Sequence, residues 1–135
     1  SATQARLDVA EIFKRRNMDK TKYLSFVKSI EKPGDSISLD SEQKRMAHAA
    51  LGMSGETGET VDLVKKHIIY GKELDKAKVI EECGDILYYM AVLLDTVGSD
   101  IDSAIFENYK KLSRRYNSGT YSNEQAIARA DKGGV

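Results

Sequence analysis

The stretch that decides the fold runs from Asp75 to Gly98 and reads DKAKVIEECGDILYYMAVLLDTVG. Val79, Cys83, Ile86, Met90, Leu93 and Val97 recur at three- and four-residue spacing, the period of one helical face, with Glu82, Asp85 and Tyr89 along its edge. Asp75 supplies an N-cap acceptor, Leu74 and Val79 flank it as a hydrophobic staple, and Gly98 ends the run. Its uninterrupted apolar part, Ile86 to Leu94, is nine residues long between Asp85 and Asp95. A membrane span needs about 20. The segment therefore predicts a packed helix and excludes a transmembrane one.

Outward from this helix the same signals repeat. Upstream, Asp40 and Gln43 have the spacing of a capping box, and a long helix is expected from about Ser41 to Ile69, stopped by Gly71. Before it, Lys32 to Ser36 form the clearest breaker cluster, and residues 1–31 have a helical pattern (Val9, Ile12, Phe13; then Tyr23, Phe26, Val27, Ile30) that Asn17 to Asp19 divide. Downstream, Asp100 caps a helix to about Tyr116, and Ser122 with Gln125 marks a short terminal helix, after which Lys132 to Val135 look frayed. The expectation is an all-α fold. It has a four-helix core, an extra N-terminal helix and a short C-terminal helix in one domain: 1–39 extension and loop, 40–116 core, 117–135 tail.

Composition sets the limits. The chain has 135 residues, the length of one domain, with a single proline, no tryptophan and 31% charged residues, which suits long solvated helices. Its 21 basic residues cancel its 21 acidic ones, so no global field attracts nucleic acid or an anionic membrane. One cysteine cannot form an internal disulfide, and no leading apolar segment has the pattern of a secretion signal. A cytoplasmic setting is expected.

The chemistry concentrates in two acid pairs. Glu56 and Glu59 stand three apart on the first long helix, Glu82 and Asp85 three apart on the next, and each pair faces one way. Glu59 lies thirteen residues before Lys72 and Asp85 thirteen after, so an antiparallel hairpin brings the pairs to similar heights. Four partly buried carboxylates would raise one another's pKa unless a cation compensates them, and an all-oxygen cluster suits Mg²⁺, or Mn²⁺ in its place. Gly52, Gly55 and Gly58 bracket the glutamates, each at a helix-propensity cost of about 1 kcal/mol, which implies close approach of a backbone or ligand. Acids at this spacing are commonplace on solvated helices; two pairs in register, flanked by glycines, are not. His48 and His67 have no place in a Glu-x-x-His pattern, so a di-iron site is disfavoured. Cys83 belongs by its position to the apolar stripe.

The segments LGMSGETGE (51–59) and ECGDILYY (82–89), with Asn108, Lys111 and Arg114-Arg115-Tyr116 beyond them, resemble the MazG-type all-α nucleoside triphosphate pyrophosphohydrolases, whose signature is E-x-x-E, a spacer and E-x-x-D. The resemblance spans roughly residues 40–116. It differs from many members in Gly55, where they carry a second glutamate, and in Leu24 after Tyr23, where a glutamine is frequent. It implies that Glu56, Glu59, Glu82 and Asp85 bind Mg²⁺ and that a nucleoside triphosphate is cleaved to monophosphate and pyrophosphate in nucleotide-pool housecleaning. It also implies a homodimer or homotetramer. Cationic groups are needed at the phosphates, and Asn108, Lys111 and Arg115 share one helical face while Lys66 sits on the glutamate side of its helix. Tyr89, one turn beyond Asp85, is placed to contact sugar or base, and Glu59 is the expected group that positions or deprotonates water. The competing expectation is a non-catalytic helical adaptor whose apolar stripes drive self-association.

Overall fold

The structure, a computed structural model, describes Glu11 and residues 19–133. Among the described residues there are helices and turns and no strand, as an all-α fold requires. Two compact units divide the chain, Ser1–Ser38 and Leu39–Val135.

In the first unit, helix α1 (Lys20–Ile30) begins where Asp19 accepts from the Lys22 N–H at 2.9 Å. The expected apolar positions Val9, Ile12 and Phe13 lie outside the described residues. After Pro33, which cannot continue a helix, a 3-10 turn (Gly34–Ser36) closes with the Ser36 hydroxyl donating to the Pro33 carbonyl at 2.6 Å.

The second unit is built on a helical hairpin. Helix α2 (Ser41–Ile68) starts with a complete capping box: Asp40 accepts from the Gln43 N–H at 2.8 Å and the Gln43 side chain accepts from the Asp40 N–H at 2.9 Å. Gly71 then takes a positive φ of 65°, and Asp75 caps helix α3 (Lys76–Thr96) by accepting from the Lys78 N–H. α2 and α3 form the most extensive helix–helix packing in the unit. At one level Arg45 spans them, its guanidinium reaching Glu42 on its own helix and Asp95 of α3 at 2.7 Å. α3 ends at Gly98, φ 70°, in a Schellman arrangement: Ser99 N–H donates to Leu94 and Gly98 N–H to Asp95. Helix α4 (Ile101–Arg115), capped by Asp100, and helix α5 (Asn123–Ala128), capped by Ser122, complete the order.

Two expectations need correction. Cys83 is exposed, whereas Ile86, Met90 and Leu93 of the same stripe are half-buried. Lys132 is not frayed: Ala130–Lys132 form a 3-10 turn packed on α4. The core is thin. Ala49 and Glu82 are the only buried residues among those described, while Leu51, Val61, Ile68, Ile80 and Tyr109 are each 60% exposed or more.

Candidate metal centre

The hairpin sets the acids. Glu56 and Glu59 on α2 and Glu82 on α3 each offer a carboxylate oxygen, and these oxygens lie within 4.8 Å of one another. Glu82 is 1% exposed, the one buried charged residue of the described chain. Asp85, one turn on, is exposed and stands outside this close trio, although its charge acts on Glu56.

The electrostatics are asymmetric across the hairpin. Glu56 is pushed above the ordinary carboxylate range, first by its hydrogen bond with Glu82 and then by desolvation and the charges of Glu59, Asp85 and Glu82. Glu82 is held below that range, chiefly by Lys78, whose ammonium lies 3.1 Å from it and 2.9 Å from Glu81. Of the pair, Glu56 is therefore the one that takes up a proton more readily, while Lys78 favours the ionised form of Glu82. Sequence reasoning passed over Lys78, although its place four residues before Glu82 puts it on the same face.

The donor set fits a hard cation. Mg²⁺ holds oxygens at roughly 2.1 Å, which places its ligands about 3 to 4 Å from one another in an octahedron, and three oxygens within 4.8 Å need only a small inward shift. The carboxylates are all-oxygen donors, and the upward shift of Glu56 under the charges of Glu59, Asp85 and Glu82 marks a cluster rich in negative charge. The neighbouring hydroxyls are already engaged: Thr57 donates to the Met53 carbonyl and Thr60 to that of Glu56.

Residues 45–120 match the family model of the MazG nucleotide pyrophosphohydrolase domain, more than half of the 135-residue chain and all four acids. The chain belongs to the MazG family. It is a family of nucleotide pyrophosphohydrolases, and the match supports a hydrolase. No curated protein and no solved structure matches the chain.

Within this MazG domain the remaining expected residues are distributed unevenly. Tyr89 is half-buried in the hairpin, with its ring against Gly52, where a β-carbon would collide with it, and edge-on to His48 and Tyr88 at 5.9 and 5.1 Å between centroids. The close approach implied by the glycines is thus accounted for at Gly52 alone; β-carbons at Gly55 and Gly58 would meet open space. Lys66 pairs with Asp62 at 2.7 Å, a carboxylate one turn beyond Glu59. Arg115 is committed to Asp131 through two hydrogen bonds of 2.7 and 3.0 Å. Asn108 and Lys111 line a separate groove whose walls include none of the four acids. No helix among the described residues is long and apolar enough to cross a membrane.

Proposed function

We propose that this MazG domain is a Mg²⁺-dependent nucleoside triphosphate pyrophosphohydrolase, with Mn²⁺ as a possible substitute ion. The observation that carries the reading is the convergence of the Glu56, Glu59 and Glu82 oxygens at the family's acid motif. Glu56, Glu59, Glu82 and Asp85 would hold the ion, which when bound supplies charge neutralisation at the phosphate oxygens. The protein's own part is orientation and proton transfer. Glu59, exposed and without a cationic partner among the described residues, accepts the proton of the attacking water. The water oxygen bonds to the α-phosphorus as the α–β bridging oxygen departs with pyrophosphate, leaving the monophosphate. Lys78 keeps Glu82 ionised and so available as a ligand. Lys66 and Lys111 remain the cations proposed for the phosphates, with Asn108 as a neutral donor and Tyr89 at the sugar or base.

The protein acts, on this reading, as a homodimer or homotetramer. Large apolar side chains on α2, α3 and α4 are exposed, among them Leu51, Ile80 and Tyr109, and a symmetric partner would cover them. The test is a panel of canonical and modified nucleoside triphosphates with Mg²⁺, scored for pyrophosphate. Wild type should release pyrophosphate from at least one, and Glu59→Gln, which keeps shape but loses a charge, should abolish most of it while the helices stay folded. Release of orthophosphate instead, or no release from any nucleotide, contradicts the proposal, the latter favouring the adaptor.

A further inference from the structure

Lys78 stands between two acids of its own helix. Its ammonium lies 3.1 Å from Glu82, which is buried, and 2.9 Å from Glu81, which is exposed. Glu82 also meets Glu56 and Glu59 across the hairpin. Among the described residues Lys78 is the one cation paired with any of Glu56, Glu59, Glu82 and Asp85.

The two ends of this residue are held differently. Its N–H donates to the Asp75 cap at 2.9 Å, which fixes the backbone in the first turn of α3. The ammonium ends a flexible four-carbon stem, and the side chain is 40% exposed, so it can let go of Glu82 and keep Glu81 with no change in the helix. The contact that favours the charged form of Glu82 also occupies it. A divalent cation drawn to the three carboxylates competes with the ammonium for that buried acid, and the two cations repel each other at close range. The dication gains several carboxylate oxygens at once, whereas the ammonium gives up one of two partners. Exchange is therefore favoured over addition.

We propose that Lys78 is the resident counter-ion of the metal-free centre: it holds Glu82 until a divalent cation arrives, then yields Glu82 and retains Glu81. This exchange rests on the metal reading above. It sets the affinity of the centre, because the ion binds only as the lysine contact breaks.

The test needs no turnover. Melting temperature and calorimetric Mg²⁺ titration of the full chain are compared for wild type and Lys78→Met, which keeps an unbranched stem and loses the charge. In EDTA the variant should melt lower, because a buried carboxylate loses its partner. At saturating Mg²⁺ the two should melt together. Mg²⁺ should bind the variant at least fivefold more tightly, since a loss confined to the metal-free state reappears as affinity. Lys78→Arg, which restores the charge, should return both readings to wild type, and in a Glu82→Gln background Lys78→Met should lose most of its effect on the metal-free melting temperature. Should Lys78→Met fail to fold, Lys78→Gln carries the same expectations.

A variant that melts with wild type in EDTA but above it in Mg²⁺ would mean that the lysine merely repels the ion from nearby, which overturns the exchange. Weaker Mg²⁺ binding by Lys78→Met overturns it too, making the lysine an aid to the ligand and not its competitor. Equal affinity in the two proteins, or no Mg²⁺ binding by either, has the same consequence. Tightened Mg²⁺ binding in a chain whose wild type releases no pyrophosphate from any nucleotide would sink the enzymatic reading and leave the exchange standing; Mg²⁺-dependent release with an affinity indifferent to Lys78 does the reverse.

Discussion

Gly52 and Tyr89 show how one missing β-carbon shapes the hairpin. The Tyr89 ring occupies the space that any larger residue at position 52 would claim, so Gly52→Ala must displace a ring already packed against His48 and Tyr88. Overpacking of this kind costs about 1–3 kcal/mol, more than the roughly 1 kcal/mol that alanine gains in helix propensity. At Gly58 a β-carbon meets nothing within 4 Å, and only the propensity gain applies. Urea unfolding should therefore find Gly52→Ala destabilised and Gly58→Ala stabilised by up to about 1 kcal/mol. Equal stabilisation of both would contradict the packing. The contrast also marks what could be read from sequence: the three glycines advertise close approach, but which of them is approached depends on a ring from another helix. Lys78 is the converse case, visible by its spacing from Glu82 yet hidden by the ordinariness of surface lysines.

At the scale of elements, the caps were legible because each is a local interaction. Asp40, Asp75, Asp100 and Ser122 all cap the helices expected of them, each accepting from a backbone N–H three residues on. The Arg115–Asp131 pair was not, because its partners are 16 residues apart with a loop, a helix and a left-handed residue between them. The acid range gives this clip a signature. Arg115 depresses the Asp131 carboxyl from 3.8 to about 2, so the contribution of the pair is complete above pH 3.8 and is lost as pH falls through about 2. Wild type should exceed Asp131→Asn in melting temperature at neutral pH, and the gap should close between pH 4 and pH 2, following the Asp131 carboxyl titration by NMR. A gap independent of pH would show that the charge has no part in it.

For the molecule as a whole, the helical class and the hairpin that joins the two acid pairs followed from periodicity and from breakers at Gly71 and Gly98. What periodicity leaves open is which apolar faces meet, since a stripe looks alike whether it packs within the chain or against a second copy. Ile80, 73% exposed on α3, makes the question experimental. In solvent, Ile80→Lys would alter stability by less than about 0.5 kcal/mol. In a subunit interface it should shift the species seen by light scattering toward the 15.0 kDa chain, and a wild type that already scatters as 15.0 kDa at micromolar concentration would remove the oligomer. The carboxylate trio raises the more consequential question, because a bound cation would offset the repulsion among its three acids. The most direct measurement is the rate of pyrophosphate release from a nucleoside triphosphate as Mg²⁺ is titrated into wild type and Glu82→Gln. The account predicts a saturable Mg²⁺ dependence in wild type, no release in EDTA and at least a hundredfold loss in the variant, on the order of 3 kcal/mol in the barrier. An undiminished rate in EDTA, or a Glu82→Gln variant with the wild-type Mg²⁺ response, would contradict it.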